Sequence, residues 1–242
     1  MFGNFLLFFL IIAFAGFTQG FSGFGSTMVA LPLVISFIDI KTAVPLLCLL
    51  ALYINAYLML KLHRHIPWKK TLVLLISAIP GIFLGVYALK NVPSSYLLFF
   101  LGSTVILASL YEIFGRPVKK ETSPSWEYLV GFIAGIFRGS LNIDGPIIVT
   151  YFALQPWSKN LTKAIFCSFF FLSGVSAVIF YASMELITSS VLHYFLVGMP
   201  ALVLGTWLGH FCYQKTSETF YKRVITYLLL LLGVFTIYKA LV

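Results

Sequence analysis

A helix crossing lipid has little use for glycine and hydroxyl residues at its middle, yet residues 16–32 read GFTQGFSGFGSTMVALP inside an otherwise apolar run. Each glycine costs a helix roughly 1 kcal/mol against alanine. Backbone groups freed by a break at membrane depth must find protein partners or a water-filled cavity. The stretch therefore predicts a broken helix and, with it, a site. An altered copy follows at 131–146, GFIAGIFRGSLNIDGP. Paired interruptions in corresponding places of two half-chains point to a transporter's binding site.

That argument needs a bilayer, and the composition supplies one. Charged residues are 10% and hydrophobic residues 60%, where a soluble domain carries about 25% charge. Long unbroken apolar runs exclude a β-barrel, whose strands alternate. The expectation is an all-α integral membrane protein with eight apolar segments: 5–37, 42–60, 71–89, 94–114, 126–152, 165–182, 191–213 and 220–238. The polar stretch 115–125, with Arg116, Pro117, Lys119, Lys120 and Pro124, reads as a linker between an N-terminal repeat, 1–114, and a C-terminal repeat, 126–242, of one membrane domain. Gly16 and Gly20 match Gly135 and Gly139 at an offset of 119, and Pro80 and Gly85 match Pro200 and Gly205 at 120. The first twenty residues lack a basic start, so they are expected to stay in the mature protein rather than act as a secretory signal.

Charge counting discriminates two topologies. If all eight segments cross, lysines and arginines divide almost evenly between the sides. If segments 1 and 5 enter, break and return, Lys41, Lys90 and Lys239 face twelve others, a strong positive-inside signal with both termini outside. Segment 1, at 33 residues, would be about 50 Å long if straight, against a hydrocarbon core of about 30 Å. The expectation is two re-entrant segments in inverted repeats.

Ionised groups at membrane depth face a cavity or a partner, and Arg138 and Asp144 flank the second break with Ser140 and Asn142 between them. One reading is an ion pair that holds the broken helix together. The other is an anion site, with Arg138 offering its planar fork of donors and a helix restarting at Pro146 adding free amides; both can hold at once, with Asp144 then a proton carrier. The first break carries no charge; Gln19, Ser22, Ser26 and Thr27 join the backbone of Gly23 and Gly25 as neutral candidates. Asn55, Ser173 and Ser176 lie deep in segments 2 and 6, where interhelical hydrogen bonds are the commoner role. Gly16, Gly20, Gly131 and Gly135 are expected to pack helices, and Gly23, Gly25, Gly139 and Gly145 to keep backbone bare for a ligand. Cys48, Cys167 and Cys212 show no metal-ligand spacing, and His63-Arg64-His65 reads as a solvated turn. No metal, no cofactor and no enzymatic role are expected. A glycine-rich loop ending in Lys-Ser/Thr is absent, so the chain is not expected to hydrolyse ATP.

The two glycine-rich blocks, 16–32 and 131–151, with Pro80/Gly85 and Pro200/Gly205, resemble the sulfite exporter TauE/SafE family of bacterial membrane proteins over nearly the whole chain. The resemblance implies a secondary transporter of sulfur-containing anions such as sulfite, sulfonates or thiosulfate, in the bacterial inner membrane. Ser26 and Thr27 stand where more glycine is common, and Arg138, Asn142 and Asp144 decorate a block that is normally plainer. The expected mechanism is alternating access around a site between the two breaks. The expected partners are a small anion and the lipid bilayer, with protons or sodium as coupling ion and a homodimer left open, and no nucleic acid. The rival reading is a non-transporting membrane subunit or assembly partner of another complex.

Overall fold

The computed structural model describes residues 2–22, 25–62, 66, 68–115, 125–154, 159–213 and 218–241, and among them every regular element is an α-helix. There are ten: α1 (Phe2–Ser22), α2 (Ser26–Val34), α3 (Ile40–Leu62), α4 (Trp68–Asn91), α5 (Ser94–Phe114), α6 (Ser125–Leu141), α7 (Gly145–Leu154), α8 (Lys159–Ser183), α9 (Ser189–Tyr213) and α10 (Glu218–Leu241). Eight apolar segments become ten helices because segments 1 and 5 are each interrupted. Among the described residues four helices are long and apolar enough to cross a membrane, and three shorter apolar stretches accompany them. Pro32, Pro45, Pro80 and Pro200 lie inside helices that continue through them, as proline does in membrane helices whose neighbours satisfy the freed carbonyl.

The chain forms two compact units. Each draws on both halves of the sequence, so these units and the halves 1–114 and 126–242 cut the chain differently. The first unit comprises Met1–Leu50, Val92–Gly115 and Ile187–Val242. Here α1 runs parallel to α9: Gly16 lies on Leu202 and Thr206, Gly20 on Thr206, Gly205 on Ala13 and Gly209 on Phe17, and a side chain at any of the four would strike the facing backbone. Small residues bring the helices close enough for dispersion to hold them where lipid offers no hydrophobic drive. α5 and α10 pack antiparallel, with Gly102 on Gly233 and Ile237 and Gly233 on Gly102 and Ile106. One polar cluster ties their ends together. Ser94 Oγ donates to Asp39 Oδ1 at 3.2 Å, the Lys41 amide donates to Asp39 Oδ2 at 2.9 Å, and Lys239 Nζ donates to the Ile35 carbonyl. The start of α5, the end of α10 and the α2–α3 connection therefore share one end of this unit.

The second unit comprises Ala51–Asn91 and Arg116–Leu186. Here α6 runs parallel to α4, with Gly135 on Ala78, Gly139 on Ile82 and Val86, Gly81 on Phe132 and Ile136, and Gly85 on Ile136 and Ser140. α8 also runs parallel to α4. Thr71 Oγ1 and Ser168 Oγ share a hydrogen bond of 3.1 Å near one end, and the rings of Phe83 and Phe180 meet edge-on at 5.6 Å near the other. α8 ends in a left-handed Glu185 (φ 61), with Leu186 N donating to the Tyr181 carbonyl and Glu185 N to that of Ala182. This is the Schellman closure, made here without glycine.

Candidate functional site

The second break is a stopped helix followed by a fresh one. α6 ends at Leu141, and Asn142 takes up a left-handed conformation (φ 55) while its amide donates to the Arg138 carbonyl at 3.0 Å. Asparagine is the usual substitute for glycine in this cap. The turn brings Asn142 and Asp144 back over Arg138. Arg138 Nη1 donates to Asn142 Oδ1 at 3.0 Å and to Asp144 Oδ1 at 3.2 Å, and Nη2 donates to the Phe170 carbonyl of α8. The guanidinium also lies over the Phe170 ring, 5.8 Å from its centroid, within cation–π range. Arg138, Asn142 and Asp144 are all buried.

These contacts do not exhaust the polar atoms. Among the described residues Arg138 Nε, Asp144 Oδ2 and Ser173 Oγ are buried without a hydrogen-bond partner. Buried polar atoms are nearly always paired, so these orphans set the second break apart. The arrangement offers a fixed cation, a carboxylate held through one oxygen, and an amide side chain. That chemistry suits a small anion.

The first break differs. α1 ends at Ser22 and α2 starts at Ser26. Gly25 sits left-handed (φ 92) as the N-cap of α2, with no side chain bonded to the first turn and open space where a Cβ would project. Ser26 Oγ donates to Gln19 Oε1 across the break. Gln19, Ser26 and Thr27 are buried.

The structure thus brings Arg138, Asn142 and Asp144 together at one break, and Gln19 and Ser26 at the other. Thr27 and Gly25 belong to the start of α2, and Gly145 opens α7, making Pro146 its second residue. Ser22 closes α1, and Asn55 is buried in α3. Gly23 lies outside the described residues, as do His63, Arg64 and His65. Gly139 needs correction. A Cβ there would run into the Ile82 carbonyl, so its bareness serves helix packing. Ser140 and Ser176 spend their hydroxyls on the carbonyls one turn back, of Ile136 and Leu172.

Three neighbours of Arg138 are not foreshadowed in the sequence. Phe170 supplies a carbonyl and a ring. Gly174 makes room, since a Cβ there would stand 3.0 Å from Arg138 Nη2. Tyr181 Oη donates to the carbonyls of Arg138 and Gly139, at 3.1 and 2.8 Å, covering the orphan end of α6. All three come from α8, more than thirty residues away in sequence. A glycine inside a long apolar segment was the one available signal.

Among the described residues no three His, Cys, Asp or Glu side chains gather as a metal site would require. A family model described as Sulfite exporter TauE/SafE matches residues 8–236. No curated protein and no solved structure matches the chain.

Proposed function

The chain belongs to the sulfite exporter TauE/SafE family, a family of multi-pass membrane transporters rather than enzymes, and from that premise we propose that it is a secondary transporter of a small sulfur-containing anion: sulfite, a sulfonate or a related oxyanion. Arg138 is the group that binds the anion. The observation that carries this is its buried guanidinium, which keeps Nε without a partner among the described residues beside a half-engaged carboxylate. Asn142 orients the fork and the N-terminus of α7, which opens at Gly145, adds partial positive charge. Gln19, Ser22, Gly23, Gly25, Ser26, Thr27 and Asn55 are the further candidates the sequence offers, of which Gln19 and Ser26 are joined by a hydrogen bond at the first break. The bacterial inner membrane is the expected location.

Thermal-shift measurements on purified protein with sulfite, sulfate, thiosulfate, sulfoacetate and taurine test the reading. A ligand at about 100 times its Kd stabilises by about 2.7 kcal/mol. At least one of these anions should raise the melting temperature of the wild type and leave Arg138→Gln unmoved. An Arg138→Gln protein that still binds and transports the anion would refute the assignment.

The same reading includes re-entrant breaks in inverted repeats, and helix directions support it. Helices that all cross must alternate in direction. Full crossing of all eight segments makes α4 and α8 antiparallel and α5 and α10 parallel. The observed senses are the reverse, as the Thr71–Ser168 and Phe83–Phe180 pairs and the Gly102–Gly233 contact reveal. A returning segment 5 restores both. For segment 1 the sense of α1 and α9 is the support: once segment 5 returns, a crossing first segment would make them antiparallel, and Gly205 on Ala13 with Gly209 on Phe17 makes them parallel, as a returning first segment requires. Single cysteines at positions 41 and 159 check this: the re-entrant topology labels them from opposite faces, and same-face labelling refutes it.

A further inference from the structure

We propose that the incoming anion displaces the Asp144 carboxylate from Arg138 and that Asp144 then takes up one proton from solution, so that anion and proton occupy the site together. The inference rests on Arg138 being the anion-binding group and names what couples to it.

Geometry carries the first half. Arg–carboxylate pairs are strongest when both oxygens meet the fork in parallel. Here Asp144 touches Arg138 through Oδ1 alone, at 3.2 Å, while Oδ2 is buried with no partner among the described residues. Arg138 keeps Asn142 and the Phe170 carbonyl whatever Asp144 does. The carboxylate is therefore seated as a replaceable anion, in the place a carboxylate- or sulfonate-like ligand would take.

Charge balance carries the second half. In the empty site one cation meets one anion. A monovalent ligand would leave two negative charges against one positive, at a depth where an uncompensated charge is not tolerated. Protonation of Asp144 restores neutrality: the ligand contributes its charge, and one solvent proton ends on a carboxylate oxygen. Among the described residues the charged side chain in contact with Asp144 is Arg138, from α6. α7 carries one titratable group, Tyr151. The Tyr181 hydroxyl of α8 is committed to the carbonyls of Arg138 and Gly139, and the α4 lysines stand at its ends. Among the described residues Arg138 makes the one salt bridge to Asp144.

The test measures proton uptake on addition of methanesulfonate to purified wild-type protein in weak buffer. This probe stays ionised throughout the range used, whereas sulfite titrates within it. The expected result is up to one proton taken up per anion bound, with binding that tightens as the pH falls, by at most about tenfold per pH unit. Asp144→Asn, which still accepts Arg138, should bind with no proton uptake and no pH slope, and Asp144→Glu should retain both. Wild-type binding without proton uptake overturns the coupling and leaves Arg138 as the anion site. Proton uptake that persists in Asp144→Asn also overturns it. A wild type that binds none of methanesulfonate, sulfite, thiosulfate or sulfoacetate at any pH overturns the anion site, and the coupling with it. Where Asp144→Asn fails to fold, the wild-type proton count and the Asp144→Glu slope decide.

Discussion

The two breaks have the same length and opposite chemistry. Each leaves three residues between helices, 23–25 in one and 142–144 in the other. Each turns on a left-handed residue, but the first places Gly25 last, against α2, and the second places Asn142 first, against α6. Glycine solves the turn by having no side chain. Asparagine solves it with a side chain that also grips Arg138. The first break closes with the neutral Gln19–Ser26 bond, the second with a buried ion pair. Backbone geometry alone does not decide what a broken helix does; the residue that tolerates the turn does.

Their placement on the supporting helix differs too. Gly16 packs on Leu202 in the first unit, and Gly139 packs on Ile82 in the second. Ile82 follows Pro80 by two residues and Leu202 follows Pro200 by two, so if the halves are aligned on these prolines Gly16 sits where Gly139 does, whereas alignment on the breaks pairs it with Gly135. α1 then continues six residues past that contact to Ser22, and α6 only two, to Leu141. The extra turn carries the first break about 6 Å further along its helix, and Gly20 uses it for a second close contact, on Thr206.

The largest expected effect lies in the ionic break. Arg138→Gln strands a buried Asp144, and breaking a buried pair on one side typically costs about 3–5 kcal/mol, a loss that shrinks as the pH falls and Asp144 takes up a proton. Denaturation of the purified variant should show that loss, and Arg138→Gln with Asp144→Asn should recover most of it. Gln19→Leu at the neutral break should cost far less. Equal losses at the two breaks would dissolve the contrast between them.

Next come the glycines. Gly139→Ala and Gly205→Ala each push a methyl into facing backbone, and overpacking of this kind costs about 1–3 kcal/mol. Gly25→Ala meets open space, so its penalty is conformational, about 1–2 kcal/mol for a left-handed alanine. Gly25→Asn imports the residue that the second break uses and should be milder than Gly25→Ala. Melting temperatures that rank Gly25→Asn below Gly25→Ala would show that the first break needs glycine for space after all.

How much of this was legible beforehand follows from the range of each interaction. The breaks were visible because glycine, asparagine and hydroxyl residues act on their own backbone. Arg138 and Asp144 were visible because charge in an apolar run is costly wherever it points. Gly139 was misjudged because packing and ligand exposure leave the same mark, a missing side chain. Phe170, Gly174 and Tyr181 act across α8 through a carbonyl, a gap and a hydroxyl, and no local pattern announces such partners. Tyr181→Phe should lower stability by about 1 kcal/mol and, by loosening the end of α6, weaken anion binding through Arg138. A Tyr181→Phe protein that matches wild type in both would remove α8's hydroxyl from the site.

The smallest expected effect tests whether the neutral break is built for a ligand or only for itself. Ser26→Ala removes the hydroxyl that Gln19 Oε1 accepts. A neutral intramolecular bond contributes about 0.5–1.5 kcal/mol net, and the Gln19 amide can turn toward any water that reaches it. The stability loss should therefore lie at the low end of that range. Anion binding is the sharper readout. The first turn of α2 has no side-chain cap, so its amides are unaffected by Ser26→Ala, and an anion that used only those amides would bind unchanged. An anion that takes a hydrogen bond from the Ser26 hydroxyl would bind several-fold more weakly to Ser26→Ala, and Ser26→Thr would restore it. Unchanged binding in Ser26→Ala and in Gln19→Leu, beside its loss in Arg138→Gln, would assign recognition to the ionic break and leave the neutral one a hinge.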